Sequence, residues 1–112
     1  MRRAIGRMPL GSRMNKLEAS YAERLRLLKH AGEIYDYWFE PLKLRLADNT
    51  YYAPDFLVMN ANCELELHEV KGHWEDDARV KWKATAEKFL IWRFVAVTFV
   101  RGEWKFEVYG KE

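Results

Sequence analysis

The segment "YYAPDFLVMNANCELELHEVKG", Tyr51 to Gly72, reads as two strands joined by a turn at Asn60–Asn62. Strand side chains alternate between faces, so Leu65, Leu67, Glu69 and Lys71 share one face while Glu64, Glu66, His68 and Val70 share the other. On the preceding strand, Asp55 shares a face with Ala53, Leu57 and Met59. Pairing as a hairpin then places Asp55 opposite Glu69. Two carboxylates and an amine meet at one end of an otherwise apolar surface, where an unpaired charge would cost several kcal/mol in desolvation. Packing gives no reason for this, but chemistry does. Clustered carboxylates repel one another and are neutralised by a divalent cation, and a lysine beside it can face a substrate anion.

The upstream helix adds a fourth group. Apolar residues recur at Met14, Leu17, Tyr21, Leu25 and Leu28, giving a helical stripe from Met14 to about Ala31, with Asn15 as N-cap and Gly32 as C′ stop. At about 100° per residue, Glu18 falls between Ala22 and Leu25 inside the apolar arc, whereas Glu23 points outward. Taken singly, each feature is ordinary. Glu-x-Lys usually marks an exposed face or a local ion pair, Pro54-Asp55 a turn, and Glu18 a boundary residue. Their convergence carries the argument.

The remaining elements frame that site. "EIYDYWFE" reads as a strand bounded by Gly32 and Pro41, and "LKLRLAD" as a second with Leu42, Leu44 and Leu46 on one face. Asp48-Asn49 supplies a turn into the strand "TYYAPDFLVM". After "CELELHEVKG" a helix is expected from about Asp76 to Leu90, with Asp76 or Asp77 at its start and Ala78, Trp82, Ala86 and Phe89 on one stripe. "RFVAVTFV" and "WKFEVY" read as strands around an Arg101-Gly102 turn. The order α-β-β-β-β-α-β-β predicts an α/β (α+β) domain with helices covering a central mixed sheet.

The bulk numbers fit one domain: 112 residues, net charge +2, 49% hydrophobic and 32% charged. No apolar run approaches the ~20 residues of a membrane span. Cys63 is the only cysteine, which precludes an intrachain disulfide and suits a reducing interior. It sits at a turn with no histidine arranged to activate it, and its spacing with His30 and His68 matches no zinc pattern. The absence of glutamine beside many Lys, Arg and Glu echoes heat-adapted proteins. Residues 1–13 carry Arg2, Arg3, Arg7 and Arg13 without an acid and read as a basic flexible arm preceding the 14–112 domain. Arg79, Lys81, Lys83 and Lys88 form a second basic group. Such clusters suit a polyanion or are simply solvated faces.

Pro54-Asp55 followed by Glu69-Val70-Lys71 resembles the PD-(D/E)XK nuclease signature, and "NKLEASYAERL" resembles the glutamate-bearing first helix of its Holliday-junction-resolvase-like branch. The "EVKG" ending and the lysine-rich helix after it are similar to small phage-encoded members. The resemblance covers about residues 14–100 and implies a restriction-endonuclease-like αβββαβ core, with the extra strand pair around Pro41 and the arm outside it. It implies a metal-dependent, structure-selective DNA endonuclease that hydrolyses phosphodiester bonds, foremost a Holliday junction resolvase. A general or nick/flap-directed nuclease of the same fold, or an inactive nucleic-acid-binding accessory protein, are the alternatives. Asp55, Glu69 and the Val70 backbone carbonyl would hold Mg²⁺, for which Mn²⁺ should substitute. Lys71 would attend the attacking water, and Glu18 would hold a metal-bound water or help place a second ion.

The DNA contacts expected on this reading are Arg2, Arg3, Arg7, Arg13, Lys16, His73, Arg79, Lys81 and Lys83. His73 and Trp74 either line the substrate groove or serve as a loop residue and a packed aromatic. The expected partners are branched or double-stranded DNA and a second copy of the chain, with no membrane and no small-molecule cofactor. The setting would be the cytoplasm of a prokaryote or phage-infected host. Tyr35, Tyr37, Trp38 and Phe39 belong either to a dimer interface or to the core.

Overall fold

A computed structural model of the chain describes residues 13–110. Helix α1 spans Lys16–His30, and both its ends follow from sequence. The Asn15 side chain accepts from the Glu18 N–H at 2.7 Å while Glu18 Oε1 accepts from the Asn15 N–H at 2.9 Å, a reciprocal capping box. At the other end Gly32 takes φ +80°, and its N–H and that of Glu33 donate to the Lys29 and Leu28 carbonyls. This closes a Schellman motif that a Cβ would strain.

Seven strands follow: β1 Ile34–Phe39, β2 Leu44–Ala47, β3 Thr50–Tyr52, β4 Phe56–Asn60, β5 Leu65–Lys71, then β6 Arg93–Val100 and β7 Glu103–Val108 after helix α2, Asp76–Lys88. Five of them form a mixed sheet in the order β1-β4-β5-β6-β7, in which only the β5–β6 pair is parallel. Helix α2 is the crossover that a parallel pair requires. The β6–β7 turn puts Arg101 at φ +51° and Gly102 at φ +78°, the two positive angles of a tight hairpin connection.

The segment "TYYAPDFLVM", expected as one strand, is two. Pro54 has no N–H to donate, and Ala53–Asp55 separates β3 from β4. β3 pairs instead with β2 as a separate two-stranded ribbon. The extra pair is therefore Leu44–Tyr52, not the strands flanking Pro41, since β1 belongs to the main sheet. Helix α2 begins at Asp76 as expected, after an N-cap Glu75 whose side chain makes no cap bond, and ends at Lys88, two residues short of the expected Leu90.

Both faces of the sheet are covered. On one, Tyr21 and Leu25 of α1 pack with Phe56, Val58, Val70, Val95 and Val97. On the other, Trp82 and Ala86 of α2 and Leu44 and Tyr52 of the ribbon pack with Leu67, Phe94 and Ala96. Of the β1 aromatics, Tyr37 and Phe39 pack against the α1-side core, whereas Tyr35 and Trp38 are exposed. No helix among the described residues is long and apolar enough to cross a membrane.

Phe56 is fully buried against Tyr21 and Phe39, so Phe56→Ala should cost about 3–5 kcal/mol. Asn15→Ala, which removes only a cap, should cost about 1 kcal/mol. Urea denaturation of both variants measures the difference.

Candidate active site

The site forms where the sheet forks. The β4–β5 ladder ends at the Phe56–His68 pair, whereas the β5–β6 ladder continues to Lys71–Thr98. One edge of Glu69–Lys71 therefore loses its neighbouring strand. Asp55, the next residue along the β4 register, lies opposite Glu69, and its Oδ2 accepts from the Val70 N–H at 2.8 Å. N–H and C=O of one extended residue point to the same edge, so the Val70 carbonyl also faces this gap.

Asp55 and Glu69 are each only 8% exposed. Burial, then the charge of Glu69, pushes the Asp55 carboxyl up to about 8; the Val70 N–H works the other way, and Glu18 adds a smaller upward contribution. Glu69 is raised by burial too, opposed first by Tyr52 and then by Lys71. Tyr52 O–H donates to Glu69 Oε1 at 2.8 Å, and Lys71 Nζ stands 3.6 Å from Oε2. A cleft of about 220 Å³ opens beside this pair between the ribbon and α2, lined by Tyr52, Ala53, Glu69, Lys71, Trp74, Ala78 and Lys81.

Three of the four expected catalytic groups, Asp55, Glu69 and Lys71, are thus brought together as the strand register predicts. Glu18 is not on their face. Its helix covers the opposite side of the sheet, and its carboxylate is engaged in the capping box. Among the described residues, no three of His, Cys, Asp and Glu converge on one point. The oxygen donors at the fork are two carboxylates and the Val70 carbonyl edge. That set fits a hard divalent cation that keeps several of its waters.

The expected DNA contacts separate. Arg2, Arg3 and Arg7 lie outside the described residues. Arg13, Lys16 and His73 are exposed, the last 3.7 Å from Glu75. Lys81 lines the cleft, but Lys83 stands about 200° away around α2 and cannot serve the same groove. Arg79 is not a free cation: it makes two hydrogen bonds to the Glu107 carboxylate and lies over the Trp74 and Trp82 rings. Trp74 does both: it lines the cleft and packs on the α2-side core, and its Nε1 donates to Thr98 Oγ1.

Tyr52 is the residue that sequence reasoning missed. Its only signal was a tyrosine whose hydroxyl, once buried, needs a polar partner. His68 lies on the face away from Glu69, as strand alternation predicts, buried between Tyr21 and Glu66.

With these features in view, the fold class is a mixed α+β domain, a five-stranded sheet with two helices. No protein-family model, curated protein or solved structure matches the chain.

The raised Asp55 pKa carries a stability consequence. The folded protein binds a proton that the unfolded chain has already released between pH ~4 and ~8, so stability falls as pH rises through that window. Asp55→Asn keeps an acceptor for the Val70 N–H and removes the buried charge. Without divalent cations it should be more stable than the wild type at pH 8, by on the order of a few kcal/mol, and the gap should close toward pH 5. Thermal melts across that range measure it.

Proposed function

We propose that this protein is a metal-dependent endonuclease that hydrolyses phosphodiester bonds in DNA, with Asp55, Glu69 and Lys71 as its catalytic residues. The observation that carries the reading is the buried Asp55–Glu69 pair at the fork, with Lys71 beside it and a cleft that Glu69 and Lys71 line. Element order supports it as well. With the β2–β3 ribbon set aside as an insertion, α1-β1-β4-β5-α2-β6 follows the αβββαβ order of the restriction-endonuclease-like core.

Asp55, Glu69 and the Val70 carbonyl would hold Mg²⁺ or Mn²⁺. When bound, the ion would supply a water of lowered pKa and offset charge on the phosphate. The protein's own residues do the rest. The Val70 N–H and Tyr52 O–H aim the two carboxylates. The Lys71 ammonium, partly exposed, meets the negative charge that grows on the phosphoryl oxygens. Lys81 at the cleft rim grips a neighbouring phosphate, a contact that positions DNA without reading its sequence.

Within this chemistry the favoured substrate is a four-way junction cut by a homodimer. Paired symmetric cuts need two sites, and this chain supplies one. The exposed Tyr35 and Trp38 on the edge strand β1 are available for self-association.

The test is incubation with Mg²⁺ and end-labelled four-way junction, flap, duplex and single strand. Paired symmetric cuts in the junction alone are expected; equal cutting of duplex would make the protein a general nuclease. Binding without cutting at any Mg²⁺ concentration would overturn the enzymatic reading. Glu69→Gln should abolish cleavage while sparing DNA binding. Lys71→Ala should slow cleavage about 10²–10³-fold, the usual range for losing one donor to a developing oxyanion.

A further inference from the structure

The cleft between the ribbon and α2 is graded in depth. Tyr52 and Glu69, both buried, form its floor; Lys71, Trp74 and Ala78 are half-buried walls, and Lys81 is exposed at the rim. Its volume of about 220 Å³ lies below the ~300–1,000 Å³ of pockets that enclose drug-sized ligands. A paired duplex cannot descend into such a space, because it is stiff over ~50 nm and holds its bases stacked against the complementary strand. A single nucleotide that has left its stack can.

The walls suit such a nucleotide. Trp74 offers an aromatic surface, and stacking on it accepts any base, since every base has a π-face. The indole is fixed before a ligand arrives. Its Nε1 donates to Thr98 Oγ1 at 2.9 Å, its ring centroid lies 5.8 Å from that of Trp82, and the Arg79 guanidinium stands 5.8 Å from it. Arg79 is in turn tied to the Glu107 carboxylate by hydrogen bonds of 2.9 and 3.0 Å. A wall set in advance costs little ordering entropy when a base settles on it. Lys71 and Lys81 place positive charge deep in the cleft and at its rim, where the phosphates of an entering strand would pass. Glu69, the one acid in the lining, is the group assigned to the ion.

We propose that the cleft receives one unpaired nucleotide of the strand to be cut, with its base against Trp74 and its phosphate carried down to Glu69 and Lys71. This inference rests on the reading of the Asp55–Glu69 pair as a metal site, and it gives selectivity for branched DNA a physical source. Extruding a nucleotide costs least where pairing and stacking are already interrupted, and most within an intact duplex.

Two experiments on the full chain test it. In the first, a duplex with one unpaired iodouracil is irradiated with the protein in Ca²⁺, beside the same duplex with that base paired. The unpaired base should give an adduct on the peptide holding Trp74, and the paired base none. Equal yields, or adducts confined to other aromatic residues, would overturn the proposal. Trp74→Ala should weaken binding of the unpaired-base duplex about 10–100-fold, the loss of one base–aromatic stack. Because Trp74 also packs in the core, Ala78→Leu serves as a second variant, filling the cleft from α2 with a good helix former. It should lose the adduct while Mn²⁺ affinity, read by calorimetry, stays at the wild-type value; an undiminished adduct would count against the cleft. In the second experiment, a covalent interstrand link across the base pair flanking the cut should block cleavage, whereas the same link in mid-arm should not. Unimpeded cleavage beside the link would refute the unpaired nucleotide and keep the nuclease. A Trp74 adduct without cleavage of any DNA in Mg²⁺ would keep the nucleotide cleft and refute the nuclease.

Discussion

The contact on which the site depends is the bond from the Val70 N–H to the Asp55 carboxylate. A strand that outruns its neighbour leaves backbone donors and acceptors with no ladder partner, and burial makes that costly. Here β4 begins two residues too late to serve Val70, and Pro54, which the register sets opposite it, is fully buried with no N–H of its own. The Asp55 side chain fills the gap by accepting that N–H. The same bond presses Asp55 toward Glu69, so a backbone requirement creates the electrostatic tension from which the chemistry follows. Tyr52 and Lys71 relieve part of that tension from the other side.

Burial of both sheet faces explains why β5 tolerates this arrangement. Its two faces serve different layers: Leu67 and Glu69 look toward α2 and the ribbon, His68 and Val70 toward α1. Polar residues occur on both faces, and each is held by a named partner. Across the sheet on α2, Trp82 Nε1 is buried without a hydrogen-bond partner. Toward α2 the polar end of β5 opens into a cleft; toward α1 it closes into an internal hydrogen-bonded chain. One strand thus turns Glu69 and Lys71 to a cleft and Glu66 and His68 to an internal hydrogen-bonded chain.

Local physics made much of this legible in the sequence. The capping box at Asn15, the Gly32 stop, the Arg101-Gly102 turn and the Asp55–Glu69 register all follow from residue identity within a few positions. What escaped depends on distance. The break at Ala53–Asp55 reflects a choice between two partner strands, β2 and β5, that period-2 counting cannot make. Tyr21 meets His68 across 47 positions, and Arg79 meets Glu107 across 28. Neither pair leaves a mark on its own neighbourhood. Glu18 lies within the apolar arc, as helical periodicity indicates, but the arc could not say which face of the sheet it would meet.

The β2–β3 ribbon has a dynamic consequence. Its strands hold four and three residues, it shares no ladder with the main sheet, and a lone two-stranded hairpin is marginal in water. Its attachment comes from Leu44 and Tyr52 in the α2-side core, a Lys88 Nζ bond to the Leu46 carbonyl and the Tyr52–Glu69 hydrogen bond. It is therefore the natural unit of local opening, with its own free energy well below that of the whole fold. Local opening of the ribbon would remove the Tyr52 hydrogen bond from Glu69 without breaking a ladder of the five-stranded sheet. Tyr52 is thus both a ribbon residue and the donor to Glu69, so the attachment of seven strand residues and the environment of one buried carboxylate are tied to the same side chain.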